Sequence, residues 1–74
     1  MKRDVLARAA TARPFRPFTL RLRCGGAVRV PHPEVIFLPP KNPSMIVVAK
    51  PTGGVRLTDV ASIASVEFPA EKAG

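Results

Sequence analysis

The sequence predicts a small, mostly β domain: a five-stranded barrel preceded by a short N-terminal α-helix. Three observations predict it. The 74 residues are enough for one domain. Apolar residues come in short runs, one of them with a clear period of two. Glycine and proline turn signals separate these runs at spacings of about eight to twelve residues. We expect a single domain over residues 1–68 and a flexible tail over residues 69–74.

Residues 3–12 are predicted to form the helix. Asp4 lies where a carboxylate stabilises a helix N-terminus, and Pro14 prevents the helix from continuing. One apolar stripe at helical spacing contains Val5, Leu6, Ala9 and Ala10. A helix this short is unstable alone, so we expect it to dock on the rest of the domain.

A β-hairpin is predicted to follow. The doubled Arg-Pro-Phe of residues 13–18 favours an extended chain, with Phe15 and Phe18 either closing one end of the core or forming an exposed recognition strip. Cys24-Gly25-Gly26 marks the turn. Alternation predicts one apolar face, made of Phe18, Leu20, Leu22, Val28 and Val30. The other face carries Arg21, Arg23 and Arg29.

The remaining strands are short. After a rigid corner at Pro31–Glu34, the predicted strands are Val35–Leu38, Met45–Ala49, Val55–Asp59 and Ser65–Phe68, with residues 60–64 ambiguous between strand and one helical turn. Two of these strands are apolar at consecutive positions, so both of their faces need cover. Either a second copy of the chain supplies that cover, making a homo-oligomer, or the helix and the corner suffice.

The positive charge is confined to the first part of the chain. The net charge is +7, and residues 1–30 hold eight basic residues against one acid, whereas residues 31–74 hold four of each. Arginine suits phosphate because its planar fork donates paired hydrogen bonds. The candidate nucleic-acid-binding residues are Arg13, Arg16, Arg21, Arg23 and Arg29. The leading hypothesis is weak binding of the RNA or DNA backbone.

Other interpretations stay open for the same residues. The arginines are also typical of a solvated surface, or of a face that binds an acidic protein. The alternative function is a protein-interaction or oligomerisation module without a nucleic-acid ligand. Its basis is the pair of two-faced apolar strands and the small core.

The inventory of reactive residues argues against an enzyme and against a metal or cofactor. Cys24 and His32 are the only cysteine and histidine, so the chain can form neither an internal disulfide nor a Cys/His zinc set. No nucleophile motif or phosphate-binding glycine loop is present. No apolar run approaches the ~20 residues of a membrane span. We expect a cytoplasmic protein with a reduced Cys24.

Two resemblances carry further expectations. Residues 13–20 and the later Val30-Pro31-His32-Pro33-Glu34 resemble a group of short uncharacterised bacterial proteins with an R-P-F-x-P-F-x-(I/L) strand and a V-x-H-P-E corner. The order of elements, with Val60, Ile63 and Val66 near the end, is similar to the Sm-like fold of bacterial RNA chaperones. That likeness implies a small Sm-like or SH3-like barrel. The family's RNA-binding residues have no counterparts here, since Thr58-Asp59 replaces the Lys-His motif.

The nucleic-acid hypothesis predicts a specific salt dependence. Three or four phosphate contacts give a log–log slope of affinity against salt of about −3. Reversing Arg21, Arg23 and Arg29 together to glutamate should abolish binding of a labelled oligonucleotide, measured by fluorescence anisotropy. A slope near zero, or an unaffected triple variant, would count against the hypothesis.

Overall fold

The computed structural model describes residues 2–69 and contains one helix and six strands. Their bounds are α1 Arg3–Thr11, β1 Phe18–Leu22, β2 Ala27–Val30, β3 Ile36–Phe37, β4 Met45–Ala49, β5 Val55–Asp59 and β6 Ile63–Glu67. Two 3₁₀ turns, Pro33–Val35 and Val60–Ser62, separate the strands that change sheet. Sheet A has the order β2-β1-β6 and sheet B the order β3-β4-β5, with all neighbours antiparallel.

The predicted five-stranded barrel is therefore wrong, and so is the Sm-like or SH3-like architecture. The mostly β character and the single short helix are confirmed. Pro31 and Pro33 lie between β2 and β3, where they cannot donate ladder hydrogen bonds, so this chain segment does not form one continuous strand. The turn at Val60–Ser62 then redirects the chain from sheet B to sheet A. Two separate sheets result.

The alternation predicted for the opening hairpin is confirmed. Its apolar residues are all buried, and β1 pairs with β2 in a register that places Phe18 opposite Val30 and Leu20 opposite Val28. They join one core with Ile63 of β6, Ile46 of sheet B and Leu6 of α1, all of which are fully buried. The core therefore depends on both sheets and the helix together.

Helix α1 docks on this core, as expected for a helix that is too short to be stable alone. Leu6 is fully buried, and Nη2 of Arg3 donates hydrogen bonds to the carbonyl oxygens of Leu38, at 3.1 Å, and Pro39, at 3.3 Å. The helix ends at Thr11, one residue before the predicted end. Among residues 2–69, no helix is long and apolar enough to cross a membrane.

The later strands differ from the prediction in their limits. Of the predicted strand Val35–Leu38, only Ile36–Phe37 pairs with β4, because Val35 belongs to the 3₁₀ turn. The helical-turn interpretation of residues 60–64 is confirmed for Val60–Ser62, where Oδ1 of Asp59 accepts a hydrogen bond from the Ala61 N–H. Strand β6 begins at Ile63, two residues earlier than predicted. Of the predicted tail, residues 70–74 lie outside the described residues.

Thr58 offers a direct test of the core. Its side chain is 6% exposed, and Oγ1 has no hydrogen-bond partner within residues 2–69. Thr58→Val keeps the β-branched shape and removes a buried hydroxyl whose desolvation is uncompensated. We expect the free energy of unfolding to rise by about 1 kcal/mol in urea denaturation. Thr19→Val, on the partly exposed outer side of β1, is the control and should change it by less than about 0.5 kcal/mol. A destabilised Thr58→Val variant would contradict this account.

Candidate functional site

Two of the predicted arginines lie on the outer face of sheet A. Arg21 and Arg29 point away from the core, with Arg29 opposite Thr19 and Arg21 opposite Ala27. Nε of Arg21 donates to Oε1 of Glu67 at 3.0 Å, in an ion pair whose two side chains are about half exposed. The neighbouring strand β6 thus compensates the charge of Arg21. Arg29 has no ion pair or side-chain hydrogen bond within residues 2–69.

The other three candidate arginines have local roles. Arg23 follows β1, and its Nε donates to the carbonyl oxygen of Ala61 at 3.0 Å, which fastens the hairpin turn to the second 3₁₀ turn. The Arg16 guanidinium carbon lies 4.8 Å from the centre of the Phe68 ring, a cation–π contact. Nη1 of Arg13 bonds the neighbouring carbonyl of Ala12.

These arginines are spread along sheet A instead of meeting at one point. Arg16 precedes β1 and Arg23 follows it, so about seven residues of nearly extended chain, roughly 23 Å, separate them. The surface can contact several well-spaced anionic groups. None of the main hollows of residues 2–69 is lined by all five of these arginines.

The phenylalanines near this surface belong to the core end of the hairpin. Phe15 lies 5.8 Å and Phe68 5.9 Å from Phe18, measured between ring centres, and Phe18 is buried. The prediction that Phe15 and Phe18 close one end of the core is confirmed. Phe68 itself is 43% exposed, but the Arg16 guanidinium lies over its ring, which limits the aromatic surface on which bases could stack.

The outer face of sheet B has a different character. The strand register aligns Phe37, Val47 and Leu57 in one row across β3, β4 and β5, and it places Val55 opposite Ala49. Phe37, Val55 and Leu57 are 58%, 60% and 61% exposed. We call this set the sheet B face: Phe37, Met45, Val47, Ala49, Val55 and Leu57.

Strand β5 shows that the exposure of this face follows from the register. Thr58 pairs with buried Ile46 and points inward, while Leu57 pairs with Val47 and points outward. The apolar members of β5 therefore lie outside and a threonine lies inside, opposite to the usual arrangement for a strand with one wet face. Such an apolar outer face is typical of a surface that another protein covers.

The sheet B face is nearly free of charge. Asp59 is paired with Met45 at the end of β5, and its carboxylate already caps the following 3₁₀ turn through the Ala61 N–H at 2.9 Å. Sequence analysis identified two-faced apolar strands at residues 35–38 and 45–49, but it did not identify Val55 and Leu57 as outward-facing. The outward orientation of Val55 and Leu57 follows from the pairing of β5 with β4, and the sequence of β5 alone does not indicate it.

Comparisons with protein-family models, with curated proteins and with solved structures found no match to this chain. Its function is therefore inferred from the two surfaces described above.

Proposed function

We propose that this chain is a protein-interaction module that self-associates through the sheet B face. The observation that carries the proposal is the inverted strand β5, which presents Val55 and Leu57 to solvent beside Phe37 while Thr58 occupies the core. Contiguous exposed apolar surface is uncommon on soluble monomers and marks protein–protein contacts. Packing two such faces together removes this surface from water.

The energetics favour a concentration-dependent dimer. Full burial of a valine, leucine or phenylalanine side chain contributes about 1.5–3 kcal/mol, and these three start roughly 60% exposed. Six such side chains in a dimer supply several kcal/mol. Association costs about 4–15 kcal/mol in lost freedom, which is of similar size. We therefore expect reversible association instead of a permanent complex.

A second copy is favoured as the occupant because the sheet B face is nearly free of charge. The net charge of +7 comes from residues 1–30, which form α1, β1 and β2, whereas residues 31–74 are electrically balanced. When two copies meet through the sheet B face, the arginines of β1 and β2 lie on the sheet that does not form the contact, whereas Arg3 and Arg13 line a hollow beside Phe37. Charges separated by more than the ~8 Å Debye length at physiological salt are largely screened. A two-fold axis lets one patch contact the same patch of its partner.

Nucleic-acid binding through sheet A stays a prediction and is the second candidate. It is favoured by Arg29, which lacks an ion pair within residues 2–69, and by the positive charge of this half of the chain. It is weaker because Glu67 compensates Arg21 and because Arg16 and Arg23 already contact their own chain. For either function we place the protein in the cytoplasm, since an exposed free thiol at Cys24 suits a reducing compartment.

Leu57→Lys should abolish self-association. The change puts a positive charge on both sides of the proposed contact, and the exposed position lets the monomer fold with its free energy of unfolding altered by less than about 0.5 kcal/mol. Sedimentation equilibrium and light scattering measure the mass, with reductant present or with Cys24→Ser to exclude a disulfide-linked pair.

The matched control is Val5→Lys. Val5 is also an exposed apolar residue, at 46%, but it lies on α1. This variant should dimerise like the wild type. Equal masses for wild type and Leu57→Lys at every concentration, or equal weakening by Val5→Lys, would refute the sheet B face as the contact.

Self-association should strengthen as salt increases. Each copy carries a net charge of +7, so screening lowers the repulsion between them while apolar burial is retained. We expect the dimer Kd to decrease as the NaCl concentration is raised from about 0.05 M to about 0.2 M. The midpoint of thermal unfolding should rise with protein concentration. A dimer that dissociates on salt addition would point to an ionic contact instead.

A further inference from the structure

Strand β2 is an edge of sheet A with unused backbone groups. The Leu22 N–H donates to the Gly26 carbonyl oxygen at 2.8 Å, in register with the β1–β2 ladder. Bonded and non-bonded pairs alternate in an antiparallel ladder, so the pairs of Val28 and Val30 face β1. The N–H and C=O groups of Ala27 and Arg29 therefore point away from β1. None of these four groups bonds another backbone group in the loops and turns of residues 2–69.

Two adjoining hollows lie beside this edge, between β2 and the β4–β5 hairpin. Their volumes are about 320 Å³ and 480 Å³, and both are lined by Arg29, Ala49, Lys50 and Pro51. We call them together the β2 cleft. Val28 and Val48 add apolar surface to the smaller hollow.

The ionisable side chains that line the β2 cleft are all basic: Arg29, His32, Lys50 and Arg56. None of the four makes a side-chain hydrogen bond or ion pair within residues 2–69. Only Arg29 belongs to the predicted arginine set. The fold brings Lys50 and Arg56 to it from the otherwise charge-balanced half of the chain.

We infer that the β2 cleft binds an extended acidic peptide segment as an added β-strand. Ala27 and Arg29 each offer one donor and one acceptor to the main chain of such a segment, which is the basis of strand addition. Carboxylates at alternate positions then lie near Arg29 and Lys50 or Arg56. The apolar side chains of the peptide, which lie between its carboxylates, then pack against Val28 and Val48.

The composition of the cleft favours a peptide over a nucleic-acid strand. No phenylalanine lines either hollow, so bases have no aromatic surface to stack on, whereas a peptide uses the backbone groups of β2 directly. The β2 cleft and the sheet B face share Ala49 and otherwise consist of different residues. The inference therefore does not depend on self-association.

The test uses a fluorescein-labelled peptide with alternating glutamate and valine residues, titrated with the full-length protein. We expect saturable binding by fluorescence anisotropy, and chemical-shift changes at the Ala27 and Arg29 amides in ¹⁵N-labelled protein. Arg29→Glu, Lys50→Glu and Arg56→Glu should each weaken binding by about tenfold. Arg13→Glu makes the same charge change at an exposed residue outside the β2 cleft and should leave the Kd within about twofold.

Two peptide controls separate strand addition from general charge attraction. A peptide of the same sequence with alternate backbone amides methylated keeps its charge but loses the main-chain donors on one side. The methylated peptide should bind about tenfold more weakly, and a lysine–valine peptide should not bind. Circular dichroism of each protein variant checks that it is folded.

Several outcomes would overturn the inference. The first is that the methylated peptide binds with the same Kd as the unmethylated one. The second is that Arg13→Glu weakens peptide binding as much as Arg29→Glu does. The third is that a single-stranded oligonucleotide binds the same residues more tightly than the peptide. Repeating the titration with Leu57→Lys keeps this result separate from the proposed function. Retained peptide binding by a monomeric variant supports the cleft as an independent site, and loss of binding in that variant would contradict it.

Discussion

The pairing of β5 with β4 determines what the rest of the surface can do. Ile46 lies opposite Thr58, and Val47 lies opposite Leu57, so the strand turns its apolar residues outward. A shift of one residue would reverse every side chain of β5, placing Leu57 in the core and Thr58 in water. The observed register thus creates the sheet B face and also leaves the Thr58 hydroxyl without a hydrogen-bond partner in the part of the chain that the structure describes. Both features follow from one choice of register.

The small size of the domain is consistent with the proposed self-association. A chain of this size buries only about 60% of the surface that its unfolded form exposes, and neither a disulfide nor a Cys/His zinc set is available to it. The buried core is already shared among two sheets and α1. Helix α1 packs Leu6 into this core, and the outer side of sheet B stays uncovered with Phe37 largely exposed. In the proposed dimer, a second copy covers this side.

The arginines of β1 and β2 and the apolar sheet B face belong to different sheets. The arginines of sheet A lie on and beside β1 and β2, and the apolar row lies across β3, β4 and β5. In the proposed dimer, the chain associates through the sheet B face while sheet A stays available to an anionic partner. At the border, the β2 cleft combines both characters, because an open strand edge there adjoins Lys50 and Arg56.

By itself, the sequence determined the elements whose signal is local. Helix α1, the hairpin from Phe18 to Val30 and the burial of its apolar face follow from period, proline position and glycine turns, which act over a few residues. Tertiary structure alone decided that the sheets stay separate and that Leu57 faces outward. It also decided that Glu67 forms an ion pair with Arg21, and that Arg29 lines the same hollow as Lys50 and Arg56. These outcomes depend on which strands pair and in what register. Pairing joins residues far apart in the chain, so no short window of sequence contains it.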